Sequence, residues 1–123
     1  MHLSEPSATI VFVVDDAATA ISLGSGDVPV LGTPKVVALC EEAAVAAIAH
    51  LVPDGATTVG SEISLTHSAP SPLGSTVEAT ARMIKEDGRT RKFEIQVTQE
   101  GSIVASGQHT RITVDRARFL GSR

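Results

Sequence analysis

Residues 33–50, TPKVVALCEEAAVAAIAH, decide the fold of this chain. The opening Thr33-Pro34 predicts a helix start, because threonine is a favoured N-cap and proline is tolerated at the first helical position. Pro53 and Gly55 predict its end. Since nearly every side chain between these signals is apolar, the helix should be buried on most of its faces. The chain is too short to surround it with other helices, so strands must wrap it.

The rest of the sequence supplies those strands. A β-branched run at residues 9–14 predicts the first strand. Alternating segments after the helix predict the others, at residues 59–67, 76–83, 93–98 and 102–114, with a bulge near Gly107 in the last. We therefore predict an α+β fold in which a curved antiparallel sheet of about five strands wraps one long central helix. This is the hotdog fold, and its open sheet edge favours a homodimer or a higher homo-oligomer.

Composition excludes several classes of function. The net charge is −4, Tyr and Trp are absent, and Phe occurs three times, so a nucleic-acid partner is not expected. The single Cys40 excludes an internal disulfide and a multi-cysteine metal site, and it fits a reducing compartment. No apolar run reaches the ~18 residues of a membrane helix. We expect one cytoplasmic domain over residues 1–123, without a metal, a cofactor or a membrane partner.

His67 is the ionisable residue that the strand pattern directs toward the core. It shares one parity with Val59, Ile63 and Leu65, whereas residues 60, 62, 64 and 66 share the other. Alternate side chains of a strand point to opposite faces, so His67 should face the apolar side. Two interpretations remain open, a core histidine with one hydrogen-bond partner and a site residue.

Glu41 and Glu42 interrupt the apolar helix. The residues three, four and seven positions from Glu41 include no cation, so Glu41 needs a partner elsewhere or a raised pKa. Alternatively one glutamate faces solvent through a gap in the sheet, and Glu42 is the better candidate for that role. Thr33 is explained by N-capping, but a helix N-terminus also offers N–H groups to an oxygen that acquires negative charge.

Arg111 and Cys40 each have a structural interpretation besides a functional one. Arg111, which shares a strand parity with His109, is either an anion contact or a strand-edge arginine. Cys40 has no base or cation nearby in the sequence, and we interpret it as a core thiol.

The order of these motifs resembles a known family. Thr33-Pro34, Glu41, the segment 59–67, the turn 87–89 and GQHTR at 107–111 resemble the fluoroacetyl-CoA thioesterase family of hotdog proteins over nearly the whole chain. The resemblance implies an acyl-CoA thioesterase with Thr33, Glu41 and His67 as catalytic residues. It also implies Gly60, His67 and Arg111 as substrate-binding residues.

One segment departs from the family pattern. Where the specialised fluoroacetyl enzyme has a phenylalanine-rich segment before its threonine, this chain has GDVPVLG at residues 26–32. The resemblance therefore implies hydrolysis of small acyl-CoA thioesters without implying fluoroacetyl selectivity.

Helix geometry limits how the three catalytic candidates can act together. Eight residues separate Thr33 from Glu41 by ~12 Å along the helix and ~80° around it, so their side chains cannot meet directly. We predict a cleft shared between subunits, in which amides near Thr33 polarise the thioester carbonyl. Glu41 or the Thr33 hydroxyl attacks directly or through water, and His67 is the general base.

Two other functions remain open. A non-catalytic hotdog module would bind an acyl-CoA or another small ligand at the same place. A hydratase acting on an enoyl thioester ranks third, because that class generally has Asp and His close together in sequence.

Overall fold

The structure, a computed structural model, describes residues 5–121. Strand β1 (Ser7–Val13) is followed by a 3-10 turn at Asp16–Ala18, the short helix α1 (Ala20–Leu23) and the long helix α2 (Thr33–Ile48). A 3-10 turn at Ala49–Leu51 extends α2. The remaining elements are β2 (Ala56–His67), β3 (Thr76–Asp87), β4 (Thr90–Gln99), β5 (Ser102–Asp115) and the short helix α3 (Arg116–Gly121).

The five strands form one antiparallel sheet in the order β1-β3-β4-β5-β2. Helix α2 lies against one face of this sheet, with most of its contacts to β1 and β3. The predicted hotdog fold is confirmed. Within residues 5–121, the helices are too short or too polar to cross a membrane.

The core lies between α2 and the inward side chains of the central strands. Helix α2 buries one stripe of small and branched residues, Val36, Leu39, Cys40, Ala43, Ala44, Ala47 and Ile48. Opposite them, β3 and β4 bury Val77, Ala79, Ala81, Phe93, Ile95 and Val97. The strand alternation predicted for these two segments is confirmed. Because alanine is frequent on both sides, the helix and the sheet can approach closely.

The other face of α2 is not covered by this chain, which corrects the prediction that the helix is buried on most faces. Thr33, Ala38 and Glu42 are exposed on it, and Val45 is 44% exposed. The sheet curves over only one side of the helix, so an apolar and partly charged surface stays accessible. Glu42 faces solvent, as its sequence position predicted.

Two irregularities set which residues of β2 and β5 face the helix. The register of β2 against β5 shifts between Gly60 and Glu62, so Ser61 is an extra residue. As a result Thr58 and Gly60 face inward together with Ile63, Leu65 and His67. The prediction that Val59 faces inward is therefore wrong, because Val59 pairs with Ile112 on the face turned away from α2.

The second irregularity lies in β5. Val97 pairs with Ala105 and Thr98 with Ile103, so the extra residue is Val104. The prediction of a bulge near Gly107 is wrong by three positions. Gly107 instead marks a close approach, since a Cβ there would overlap the Ser64 carbonyl oxygen and lie 2.9 Å from Leu65 Cα.

Candidate active site

Thr33 and His67 meet at the N-terminal end of α2. Thr33 is the first residue of the helix, and Oγ1 of Thr33 lies 2.7 Å from Nδ1 of His67, the last residue of β2. The N-cap is Gly32, whose carbonyl accepts from the N–H groups of Lys35 and Val36. The prediction that Thr33 caps α2 is therefore wrong by one residue. The Thr33 hydroxyl is directed at the histidine instead.

The imidazole of His67 is partly buried, and its two nitrogen atoms have different surroundings. Burial lowers the pKa of His67 from its ordinary 6.5, although a backbone group at Ala69 acts in the opposite direction. The imidazole is therefore mostly neutral at pH 7. Its Nε2 atom is buried and makes no hydrogen bond to any other residue from 5 to 121. A neutral ring with one nitrogen on a hydroxyl and the other unpaired can exchange a proton with a bound molecule.

A cavity opens directly beside this pair. Its volume is about 340 Å³, and both Thr33 and His67 line it. The loop before α2 forms one wall with Val28 and Val30, and Ala69 lies on another side. These apolar side chains suit a short hydrocarbon group, whereas the hydroxyl and imidazole suit a polar reacting centre.

Glu41 forms an ion pair with Arg111 of β5. Oε2 of Glu41 lies 3.2 Å from Nη1 of Arg111. Arg111 is only 7% exposed, and its Nε and Nη2 atoms donate to Oγ1 and to the carbonyl oxygen of Thr58, each at 3.0 Å. The strand-edge interpretation of Arg111 is therefore wrong. Burial lowers the pKa of Arg111, and the Glu41 carboxylate opposes that shift.

Gly60 leaves the room that the Glu41 carboxylate occupies. A Cβ at position 60 would overlap Oε2 of Glu41 and would lie 3.3 Å from Nη1 of Arg111. Gly60 and Arg111 are direct partners in the β2–β5 pairing. Glu41, Gly60 and Arg111, which sequence alone left far apart, are therefore neighbours.

His109 belongs to the same cluster, although sequence reasoning favoured Arg111 over it. Its Nε2 atom lies 3.2 Å from Nη1 of Arg111 and 3.9 Å from Oε2 of Glu41, and its Nδ1 atom lies 2.8 Å from the Glu62 carbonyl oxygen. The ring stacks on Phe93 at a centroid distance of 6.2 Å. Its shared parity with Arg111 was the sequence signal for this placement.

The predicted site residues thus form two clusters on one helix. One cluster is Thr33 with His67, and the other is Glu41 with Gly60, His109 and Arg111. Among residues 5–121, no hydrogen bond or ion pair joins the two clusters, which agrees with the ~12 Å that eight helical residues span. A single protomer therefore does not bring the three predicted catalytic residues into one contact group.

Cys40 takes no part in either cluster. The thiol is fully buried, and burial followed by the charge of Glu41 raises its pKa to about 11. A thiol in this state is a poor nucleophile, so the core interpretation is confirmed. The described part of the chain also contains no group of three or more His, Cys, Asp or Glu side chains placed to hold a metal ion.

Known proteins share this arrangement of elements. The family model described as fluoroacetyl-CoA-specific thioesterase matches residues 14–117. The fluoroacetyl-CoA thioesterase of Streptantibioticus cattleyicolor is 31% identical over 90 residues, which make up 73% of this chain and 65% of that protein. The match thus spans slightly less than two thirds of the curated relative.

Solved structures extend the comparison over the whole chain. A structure of a fluoroacetyl-CoA thioesterase is 29% identical, with a TM-score of 0.90 over 99% of this chain and 94% of that one. A thioesterase superfamily member from Thermus thermophilus is 21% identical, with a TM-score of 0.89 over 98% of this chain and 89% of that one. At that lower identity the second likeness supports the fold alone.

Proposed function

Because this chain belongs to the fluoroacetyl-CoA-specific thioesterase family, we propose that it hydrolyses a small acyl-CoA thioester to the free acid and CoA. The observation that carries the proposal is the 2.7 Å contact between Thr33 and His67 at the wall of a cavity. The predicted family is confirmed. The catalytic roles of Thr33, Glu41 and His67, and the substrate contacts of Gly60, His67 and Arg111, are part of the proposal.

The N-terminal end of α2 supplies one donor for the thioester carbonyl. Pro34 has no N–H, and the N–H groups of Lys35 and Val36 are used by the Gly32 carbonyl. The N–H of Thr33 makes no backbone hydrogen bond within residues 5–121. The Thr33 amide is therefore the group that polarises the carbonyl in our proposal, together with the positive end of the helix dipole.

His67 moves the proton in both routes that this geometry allows. In one, Nδ1 takes the proton of the Thr33 hydroxyl as its oxygen attacks the carbonyl carbon, and water later hydrolyses the resulting ester. In the other, an attacking water gives a proton to the Thr33 hydroxyl oxygen while that hydroxyl gives its own proton to Nδ1. In both routes the C–S bond breaks as the tetrahedral intermediate collapses, which in the first route precedes hydrolysis of the ester, and the protonated His67 gives its proton to the CoA thiolate.

Glu41 reaches the same substrate in this proposal through a second subunit. Its cluster lies ~12 Å from Thr33 along the helix, so a partner protomer must place a second Glu41–Arg111 pair opposite the Thr33–His67 pair. Two features support such a homodimer. The exposed face of α2 carries Thr33 and the half-buried Glu41, and β2 is an edge strand of 12 residues. Long edge strands are ready sites for pairing between chains.

The homodimer can be tested at Val45, one helical turn after Glu41. We expect Val45→Arg to weaken the dimer in sedimentation velocity and to lower activity in the same proportion, because the site is shared. Val11→Arg is the matched control, since Val11 is 62% exposed on the opposite edge strand. A Val45→Arg protein that is monomeric and fully active would contradict the shared site.

The activity itself is tested by thiol release from a panel of acyl-CoAs. Short, branched, aromatic and long acyl groups should be included, together with fluoroacetyl-CoA. We expect the highest kcat/KM for short acyl groups, because the cavity of about 340 Å³ lies near the lower end of the usual range of ligand-pocket volumes. Ligand retention without thiol release for every member would instead support the non-catalytic binding module. The cytoplasmic location stays a prediction.

A further inference from the structure

The buried imidazole of His109 has a defined proton position. His109 is 2% exposed, and its Nδ1 atom lies 2.8 Å from the Glu62 carbonyl oxygen. A carbonyl oxygen only accepts hydrogen bonds, so Nδ1 carries the proton and donates it. In the neutral ring the lone pair is then on Nε2. That atom lies 3.2 Å from Nη1 of Arg111. A guanidinium nitrogen can only donate hydrogen bonds, so Nε2 of His109 is the acceptor.

The surroundings keep this ring neutral. Burial lowers the pKa of His109 and the adjacent Arg111 lowers it further, whereas the Glu62 carbonyl and Glu41 act in the opposite direction. A second proton, on Nε2, would face the guanidinium of Arg111 at hydrogen-bond distance. The ring therefore acts as an acceptor toward Arg111.

This acceptor takes the second proton of Nη1, so that four of the five N–H groups of the Arg111 guanidinium have a hydrogen-bond partner within residues 5–121. Nε and Nη2 each donate to Thr58, and the two protons of Nη1 are divided between Oε2 of Glu41 and Nε2 of His109. With β2 on one side and His109 on the other, the guanidinium plane has one orientation. In that orientation one Nη1 proton points at the Glu41 carboxylate.

We propose that His109 is a positioning residue, a neutral Nδ1–H imidazole that orients Arg111 and through it holds the Glu41 carboxylate in place. His109 does not touch the substrate in this scheme. The proposal rests on the proposed function only where it concerns turnover, because the proton position and the Arg111 orientation are properties of the free protein.

The first test needs no substrate. In long-range ¹H–¹⁵N spectra of the wild-type protein at pH 7, we expect His109 to show a protonated Nδ1 and an unprotonated Nε2. An imidazolium, or a neutral ring protonated at Nε2, would overturn the proposal. Either result is independent of whether any acyl-CoA is hydrolysed, so failure here is distinguishable from failure of the proposed thioesterase activity.

Two variants separate positioning from packing. His109→Gln places an amide oxygen near the Nε2 position, so it can still accept from Arg111. His109→Asn places an amide N–H near the Nδ1 position, so it keeps the Glu62 contact but leaves Nη1 without its acceptor. We expect the Asn variant to lose about 10- to 100-fold in kcat/KM, and the Gln variant to recover most of that loss.

NMR signals of Arg111 and thermal unfolding are the controls for the His109→Gln and His109→Asn variants. The Arg111 side-chain N–H signals should stay sharp in wild type and His109→Gln and broaden in His109→Asn. Thermal unfolding shows whether both variants are folded at the assay temperature. If kcat/KM and the Arg111 signals change equally in the two folded variants, His109 only fills space and the proposal is wrong.

Discussion

Replacing His67 with alanine is expected to lower kcat for acyl-CoA hydrolysis by about 10²- to 10⁴-fold, the usual contribution of a general acid–base group. In our mechanism His67 takes the proton from Thr33 and later gives it to the thiolate, so both halves of the reaction lose their proton carrier. KM should rise as well, because His67 is also one of the substrate contacts in our proposal. Thiol release under saturating substrate measures the effect.

The matched control is His50→Ala. His50 is exposed in the 3-10 turn after α2 and lies outside both clusters, so its removal should leave the rate unchanged. The pH profile gives an independent check. Because burial lowers the pKa of His67, its neutral form persists below pH 6.5, and the acid limb of kcat/KM should fall below that value. A His67→Ala rate within about threefold of wild type would remove His67 from the chemistry.

The substitution Gly107→Ala is expected to destabilise the fold by about 3 kcal/mol or more, at the upper end of the range for overpacking. The new Cβ would overlap the Ser64 carbonyl oxygen and lie 2.9 Å from both the Ser64 carbonyl carbon and Leu65 Cα. All three atoms belong to the backbone of β2, which cannot move away without breaking its pairing with β5. The melting temperature should fall by about 10 °C or more.

Gly26→Ala is the matched control for this prediction. Its Cβ would lie 3.4 Å from the Ala20 Cβ, which is an ordinary contact, and Gly26 is exposed. Its free energy of unfolding should stay within about 0.5 kcal/mol of wild type in urea titrations. Equal melting temperatures for the two variants would show that β2 and β5 are less tightly joined than the structure indicates.

The sheet was predictable from periodicity because its central strands β3 and β4 carry a one-sided pattern. Residues 77, 79 and 81 and residues 93, 95 and 97 alternate without interruption, and all six are buried as predicted. The long helix was predictable because its apolar stretch has a proline at one end and a Pro–Gly stop at the other. Its uncovered face was not predictable, since alanine and valine suit a buried core and a subunit surface equally well.

The sequence was sufficient to select the candidate site residues, but it was not sufficient to predict which of them contact one another. The inward direction of His67 followed from strand parity, and its contact with Thr33 agrees with it. The neighbours of Glu41 could not be derived, because the extra residue Ser61 reverses parity within β2 and brings Thr58 and Gly60 inward. Alternation assumes unbroken pairing, and nothing in the residues around Ser61 reveals the interruption.

Helix α2 also has a consequence for how related chains can differ in length. It carries Thr33 in one cluster and Glu41 in the other, so the number of residues between them fixes both their separation and their relative direction. One inserted residue would turn Glu41 by about 100° around the helix axis and move it by about 1.5 Å. Exchange of an exposed side chain between these positions, such as Ala38, would leave this geometry in place, whereas an insertion or deletion there would direct Glu41 away from Arg111.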